Sequence, residues 1–328
     1  MSRLAKRDEE RRDDEGEGKI NRKPLLDWVV ENRVLYIATA LVFLLYLATK
    51  SVIFALLTAV LVVLLFAIES WHSALKTGWK NELKEIAFAV LIAGAVWWGG
   101  GFILHTSAPL DAVVSCSMLP NLERGDMVVL QGGAANAPEV SVSAAEFQSN
   151  EWQNEKVVCA YCERVGPGGV VREPCVARTK LTENGLIAVG EANQSGNLVQ
   201  YECGTCFKKH SNGIASDVPC AKAIIVKGQR IVPNYSNDVI VYTPLQGDIF
   251  RGETIHRVVT RMNVDGNYYY LTKGDNNEQL DVQYGNSPIA QDKVVGKVLL
   301  RLPYLGYLKL FLFGFLSTPA GCDSTLGA

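Results

Sequence analysis

The chain has 328 residues, of which 48% are hydrophobic, and its 32 basic and 34 acidic residues leave a formal net charge of -2. This length has room for two domains, and the hydrophobic share is high for a soluble protein. The near-zero charge leaves no large basic face, which argues against nucleic acid as a partner.

The first 33 residues carry basic and acidic side chains in mixed order and few apolar ones. Such a segment cannot bury enough apolar surface to fold, so residues 1–33 are predicted to form a solvated cytoplasmic tail.

Residues 34–68 form an apolar run that only Lys50 and Ser51 interrupt. A single helix of that length would exceed a bilayer core of ~30 Å at ~1.5 Å per residue. The sequence therefore predicts a helical hairpin, Val34–Thr49 and Val52–Ile68. A third apolar segment, Ile86–His105, completes about three transmembrane helices within residues 34–106.

Basic residues set the predicted orientation of these helices. Lys76, Lys80 and Lys84 lie in the linker before the third helix, whereas the hairpin tip carries only Lys50. Because basic residues stay on the cytoplasmic side, the linker and the tail are predicted to be inside and everything after His105 outside. The apolar run is also too long for the ~7–15-residue core of a cleaved secretion signal.

Strand signals dominate the part of the chain after the third helix. Five short segments rich in Val, Ile and Tyr are bounded by Gly, Asn, Asp or Pro: "DMVVLQ", "DVIVYTP", "TIHRVVTRMNV", "NYYYLTK" and "DKVVGKVLLRLP". Between the third and fourth, Asp265-Gly266 is the dipeptide that a tight hairpin turn favours. We expect a β-rich domain over residues 107–133 and 236–302.

Six of the eight cysteines lie in an inserted module, residues 134–235, in two similar arrays: "CAYCERVGPGGVVREPC" and "CGTCFKKHSNGIASDVPC". The repeat indicates an internal duplication. Two alternatives explain it. Disulfides persist outside the cytoplasm, and since each array has an odd number of cysteines, full pairing requires a bridge between the arrays.

In the second alternative, a structural zinc ion is held by the two C-x2-C pairs, Cys159, Cys162, Cys203 and Cys206, and Cys175 pairs with Cys220. In both alternatives the cysteines have a structural role, because a loop-rich module needs cross-links to be stable.

The segment "SCSMLP", residues 115–120, places two serines just beyond the third helix. A serine hydroxyl needs a neighbouring base to become a nucleophile, and His256 lies in a predicted strand of the β domain. Asp275 and Asp281 follow in "LTKGDNNEQLD", where a carboxylate could orient that histidine. A structural strand histidine and a solvated turn would give the same pattern, so the pattern alone does not decide.

Five blocks of the sequence resemble the type I signal peptidases in order and spacing: "SCSMLPNLERGDMVVL", "DVIVYTP", "IHRVV", "TKGDNNEQLD" and "VVGKVLLRLPYLGYLKL". They are most similar to the archaeal and endoplasmic-reticulum branch, whose base is histidine instead of lysine. The resemblance covers residues 107–133 and 236–310. It implies a membrane-anchored, mainly-β catalytic domain with the signal-peptidase-like β fold.

The resemblance also implies roles for single residues. Ser117 matches the nucleophile, His256 the general base, and Ser115 the serine beside the oxyanion. Asp275 and Asp281 both match family positions, and Asp281 is the first choice as the partner of His256. Cys116 stands where the family usually has glycine. Adjacent residues of an extended segment point to opposite faces, so Ser117 and not Cys116 is the predicted nucleophile.

The function that the resemblance implies is that of a membrane-bound serine endopeptidase, which removes signal peptides from exported preproteins after small residues and needs no cofactor for catalysis. The expected partners are signal peptides, the lipid membrane and the secretion machinery. The expected location is the plasma membrane of an archaeon, with the endoplasmic-reticulum membrane as the alternative, and the catalytic domain on the extracytoplasmic side.

Residues 303–328 are predicted to be a membrane-associated segment, too short to be a further crossing and therefore interfacial or re-entrant. A different class of function also fits the sequence. In that alternative the chain is a non-catalytic membrane receptor, which binds through the cysteine module on a decayed peptidase scaffold.

Overall fold

The computed structural model describes residues 33–49, 52–150, 152, 156–166, 168–182, 185–315, 317–319 and 321–327. Residues 1–32 of the predicted tail lie outside these ranges. The chain divides into two compact units, residues 1–92 and 93–328.

Three apolar helices come first: α1 (Val34–Thr49), α2 (Val52–Thr77) and α3 (Trp79–Leu104). The bounds of α1 are those predicted, but α2 continues beyond Ile68 and α3 begins before Ile86. The predicted linker is therefore helical, and the chain breaks only at Gly78, whose φ of +88° suits glycine. Hydropathy missed these turns because Ala, Leu, Lys and Glu favour helix whatever their polarity.

Two of these helices have the length and composition of membrane spans: Leu56–Thr77, with 22 residues, and α3, with 26. Helix α1 is apolar but has only 16 residues, which is short for a bilayer core that needs ~20. Large apolar side chains on α3 are exposed, among them Trp98 at 76% and Phe102 at 83%. An apolar surface of this extent indicates membrane association.

The rest of the described chain is mainly β, as predicted. Its strands are β1 (Leu110–Ala112), β2 (Met127–Gln131), β3 (Glu139–Val142), β4 (Val157–Gly166), β5 (Gly169–Thr182), β6 (Gly185–Glu191), β7 (Val199–His210), β8 (Ala215–Val226), β9 (Gln229–Ile231), β10 (Val239–Tyr242), β11 (Thr254–Val264), β12 (Asn267–Lys273), β13 (Ile289–Ala290), β14 (Val294–Leu302) and β15 (Ser324–Gly327). Two short helices, α4 (Ala144–Ser149) and α5 (Tyr307–Leu312), and two 3₁₀ turns, Asp281–Tyr284 and Gln291–Lys293, complete it.

The five predicted strands are confirmed as β2, β10, β11, β12 and β14. The hairpin between β11 and β12 turns at Asp265 and Gly266, with φ of +48° and +92°. Positive φ at both central residues defines the turn that matches the twist of paired strands.

The large sheet has the order β1-β2-β14-β10-β11-β12-β13, and β3 pairs with β11. All pairs are antiparallel except β3 with β11. Strand β10 is buried along its whole length, which explains its unbroken apolar sequence. Strand β1 lies at one edge of the sheet, with no strand on its outer side.

Two smaller sheets carry the cysteine arrays, β4-β5-β6 and β15-β7-β8-β9. The first array lies on the β4–β5 hairpin and the second on the β7–β8 hairpin. Val199 and Ile224 share one hydrophobic cluster with Met262 and Leu271 of the large sheet. Strand β3 also lies within residues 134–235 and pairs with β11, so the inserted region shares a hydrophobic cluster with the large sheet.

All eight cysteines are disulfide-bonded: Cys116–Cys322, Cys159–Cys203, Cys162–Cys175 and Cys206–Cys220. Cys159–Cys203 is the bridge between arrays that full pairing requires. Disulfide sulfurs carry no thiolate to offer zinc, so this pairing favours the disulfide alternative over the proposed ligand set of Cys159, Cys162, Cys203 and Cys206. Cys175 is bonded to Cys162 and Cys220 to Cys206, whereas the zinc alternative pairs Cys175 with Cys220.

The C-terminal part, predicted to be a membrane-associated segment over residues 303–328, contains one short helix and one short strand in its described residues. Helix α5 has only six residues, although its Leu308 and Leu312 are exposed. The chain then returns to the inserted region, where β15 pairs with β7 and Cys322 is bonded to Cys116. Hydropathy missed this return because Ser324–Gly327 is too short and too polar to read as a strand.

A thiol and metal assay of the purified protein distinguishes the two alternatives for the cysteines. We expect no free thiol on denaturation without reductant, and no stoichiometric zinc by elemental analysis. Zinc at one ion per chain, together with free thiols after denaturation, would contradict the disulfide pairing.

Candidate active site

Ser117 and His256 meet although 139 residues separate them in the chain. His256 lies near the start of β11 and its ring is buried. Ser117 lies in the loop between β1 and β2, which both belong to the same sheet as β11. The His256 Nε2 atom is 3.0 Å from Ser117 Oγ, which is hydrogen-bond distance.

Asp281 is the carboxylate that contacts this histidine. Its Oδ2 is 2.7 Å from His256 Nδ1, and its side chain is completely buried. A carboxylate only accepts, so Nδ1 carries the proton and Nε2 presents its lone pair to Ser117. The three residues form a continuous chain from hydroxyl to imidazole to carboxylate, the arrangement that activates a serine.

Two further donors converge on Asp281 Oδ2. The Tyr242 hydroxyl donates at 2.9 Å and the Thr272 hydroxyl at 2.5 Å. Burial and the nearby Asp281 carboxylate raise the pKa of Tyr242 well above its ordinary value of about 10, so its hydroxyl remains a donor. Three donors on one carboxylate oxygen fix the orientation of the Asp281 side chain, which is what a histidine partner requires.

The main chain around Asp281 is also held in place. Asp281 begins the 3₁₀ turn that ends at Gly285, whose φ is +90°. Asn286 donates from Nδ2 to the Asp281 carbonyl, and its Oδ1 accepts from the Phe250 N–H. The Phe250 ring stands edge-on to His256 at 5.6 Å, so the same contacts order one wall of the site.

Asp275, the other predicted carboxylate, has a different partner. It forms a two-bond ion pair with Arg257, with both N–O distances 2.8 Å, and accepts from Asn121 at 2.7 Å. Arg257 also donates to the carbonyls of Tyr235 and Asn237. This buried pair joins the loop after Ser117, the end of the inserted region and β11, and it does not contact His256.

Ser115 lies beside Ser117, and the two Oγ atoms are 3.1 Å apart. This is the neighbourhood in which the sequence places an oxyanion donor. Cys116 between them is bonded to Cys322, so no free thiol is available there.

Lys273, the buried lysine nearest in sequence to Asp275, does not contact Ser117 Oγ in the way that His256 does. Lys273 is the cross-strand partner of Arg257, the residue after His256, so its side chain leaves the sheet on the face opposite to the His256 ring. Burial lowers the pKa of Lys273, and its Nζ donates to the Gly274 carbonyl. Among the described residues, the hydrogen-bond partners of Ser117 Oγ are His256 and Ser115.

A cleft of about 400 Å³ opens beside Ser117 and His256. Its lining includes the apolar side chains of Val114, Ile249 and Phe250. The edge strand β1 contributes Asp111 and Ala112. An extended peptide in this cleft would therefore meet the edge strand of the sheet, where the Ala112 N–H donates to Asp111 Oδ1, as well as an apolar wall.

Sequence reasoning missed several residues of the site. Tyr242 and Thr272 have apolar strand neighbours and no motif that indicates a role. Gly274 and Asn276 lie within "GDNN", which did signal a turn. A Cβ at Gly274 would lie 2.7 Å from the Ser117 carbonyl oxygen, so the turn approaches the nucleophile too closely for any side chain.

The fold and the site together define a class: a mainly-β protein with apolar helices, whose sheet assembles a serine, a histidine and a buried aspartate. Comparison with known proteins gives one local match. The chain is similar to the signal peptidase complex catalytic subunit SEC11 of Verticillium alfalfae, with 30% identity over 78 residues. The match covers 23% of this chain and 44% of that relative, so the chain spans less than half the length of the relative.

This match supports a relationship to signal peptidases. No protein-family model matches the chain. No solved structure matches it.

Tyr242→Phe tests the support of Asp281. Removing the hydroxyl should lower the free energy of unfolding by about 1.5–3 kcal/mol, because the lost hydrogen bond is to a buried charge. Tyr284→Phe is the control, since the Tyr284 hydroxyl has no hydrogen-bond partner among the described residues; its cost should be below about 0.5 kcal/mol. Urea unfolding in detergent measures both, and equal losses would contradict the role of Tyr242.

The same pair of proteins has an expected pH dependence. The pKa of Tyr242 is raised in the folded state. The contribution of the Tyr242 hydroxyl to the free energy of unfolding is therefore complete below about pH 10 and declines as pH rises further. The difference between wild type and Tyr242→Phe should therefore shrink above that pH.

Proposed function

We propose that this chain is a membrane-bound serine endopeptidase of the Ser-His-Asp type, which removes N-terminal signal peptides from exported preproteins. The observation that carries the proposal is the hydrogen-bonded chain Ser117–His256–Asp281 beside a cleft that the edge strand β1 lines. The local similarity to a signal peptidase subunit supports the proposed substrate class.

The substrate's extended segment would pair with the open edge of β1, as peptides add to exposed sheet edges elsewhere. Main-chain pairing is independent of side chains and so suits the variable sequences of signal peptides. The shallow apolar lining near Val114, Ile249 and Phe250 would accept small residues one and three positions before the cut. The apolar helices would keep the catalytic domain at the membrane where such substrates are held.

The chemistry would proceed through an acyl-enzyme. Ser117 Oγ attacks the scissile carbonyl carbon while His256 Nε2 takes the hydroxyl proton. The imidazolium that forms is stabilised by the Asp281 carboxylate at 2.7 Å. Ser115 Oγ and the Ser117 N–H are the donors proposed for the oxyanion. His256 then gives its proton to the leaving amine, and water, activated by the same histidine, hydrolyses the ester.

Direct cleavage of a preprotein tests the proposal. Wild type in detergent should release the signal peptide of a preprotein that has Ala one and three positions before the cut. It should not cleave the same preprotein with Trp in place of Ala one position before the cut. Ser117→Ala should lower kcat by at least about 10³-fold, because the nucleophile is lost. Ser236→Ala, a change of an exposed serine, is the control and should cleave like wild type.

Cleavage by Ser117→Ala at the wild-type rate would contradict the serine mechanism. No cleavage by any variant, with tight preprotein binding retained, would favour the receptor alternative instead.

Two conservative substitutions decide which carboxylate serves His256. Asp281→Asn should lower kcat by about 10³–10⁴-fold, because an amide no longer holds the required tautomer. Asp275→Asn should instead lower the free energy of unfolding by about 3–5 kcal/mol, because it breaks the buried pair with Arg257. Its kcat should stay within about tenfold of wild type. Steady-state cleavage and urea unfolding of both variants give the comparison, and the reverse pattern would assign the role to Asp275.

A further inference from the structure

Residues 321–327, here called the strap, lie against the loop that carries the nucleophile. Cys322 of the strap is bonded to Cys116, which directly precedes Ser117, with a Cα–Cα distance of 5.0 Å. Further along the strap, β15 pairs with β7 over four residues. The strap therefore joins the sheet of the inserted region covalently to the residue before the nucleophile.

Asn276 binds the strap and the nucleophile loop at once, and its side chain is buried. Its Nδ2 lies within 3.2 Å of the carbonyl oxygens of Cys116, Gly321 and Ser324. Its Oδ1 accepts from the Leu326 N–H at 2.7 Å. Its own N–H donates to the Ser117 carbonyl at 2.7 Å. The Asn276 side chain thus holds the carbonyl directly before the Ser117 Cα, that of Cys116, and the Asn276 N–H holds the one directly after it, that of Ser117.

The segment that leads into the strap is also tied to this loop. Arg124, seven residues after Ser117, donates from Nη2 to the carbonyls of Phe315 and Ser317, at 2.5 and 3.1 Å. The contacts on the loop therefore come from two stretches of chain that are distant in sequence, residues 274–277 and 315–326.

We infer that the strap is a positioning element for catalysis: the Cys116–Cys322 disulfide and Asn276 fix the main chain at residues 116 and 117, and so aim Ser117 Oγ at His256 Nε2. This inference rests on the proposed function and adds to it. The disulfide holds the Cys116 side chain on the strap, one residue before Ser117.

A small displacement of Ser117 would have a large effect on the rate. A displacement of ~1 Å at the reacting atom costs ~10²-fold in rate, because the attack geometry is lost. A loop freed from its cross-link gains backbone freedom, whereas the groups that bind the substrate in the cleft stay where they are. The expected signature is a fall in kcat with little change in KM.

The test compares two double variants of the full-length protein in detergent. Cys116→Ala/Cys322→Ala removes the strap's disulfide, and Cys162→Ala/Cys175→Ala removes one on the β4–β5 hairpin of the inserted region, which does not pair with the strap, as the matched control. Both are assayed at a temperature where circular dichroism shows them folded. The strap variant should lose about 10–100-fold in kcat, with KM within about threefold and the shape of the pH–rate profile unchanged. The control should keep kcat within about twofold.

Asn276→Asp gives a second, independent measurement without touching a disulfide. It retains the acceptor for Leu326 but removes the Nδ2 donor, and it should reproduce the fall in kcat. Hydrogen–deuterium exchange of residues 113–119 should be faster in both Asn276→Asp and the strap variant than in the control, whether or not a substrate has been found.

Unchanged kcat and unchanged exchange in the strap variant would overturn the inference, and so would equal effects of the two double variants. Failure of the proposed function looks different: wild type and Ser117→Ala would then behave alike toward the preprotein, whatever the exchange data show.

Discussion

The candidate site depends on one buried negative charge. Asp281 has no exposed surface, and a carboxylate removed from water is costly unless hydrogen bonds replace its hydration. Tyr242 of β10, Thr272 of β12 and His256 of β11 supply these bonds to Oδ2 from three adjacent strands of the sheet, whereas the buried Oδ1 has no hydrogen-bond partner among the described residues. The contacts of one oxygen thus join the three central strands and fix the orientation of the imidazole.

The nucleophile is held by a second set of contacts that does not involve this charge. Gly274 and Asn276 contact the loop at Ser117 from one side, and the Arg257–Asp275 pair holds Asn121 from the other. The two aspartates therefore have different contacts. Asp281 contacts His256, and Asp275 joins segments whose relative placement the Ser117–His256–Asp281 arrangement requires.

Periodicity and turn chemistry were enough to predict the strands β2, β10, β11, β12 and β14 and the hairpin turn at Asp265, because those signals are local. The trio Ser117, His256 and Asp281 was found through resemblance, since no local rule says that residues 139 positions apart will meet. Tyr242 and Thr272 were missed for the same reason: a strand tyrosine or threonine has the same sequence signature whether its hydroxyl reaches a carboxylate or water.

The helix ends near Gly78 were mispredicted, and strand β15 was not predicted, because hydropathy reports only polarity. It neither detects the helical preference of charged residues nor the pairing of a short polar strand with a distant one.

The outer edge of β1 has a consequence for the protein's behaviour in solution. An unpaired edge is a template for any extended chain, including another copy of the same protein, and long exposed edges lead to aggregation. Strand β1 offers only three residues, and Asp111 within it forms an ion pair with Lys309. So short an edge gives too few main-chain bonds to hold a second copy by itself. Under the proposed function, this edge would select for chains that bring further binding energy, such as an apolar segment anchored in the same membrane.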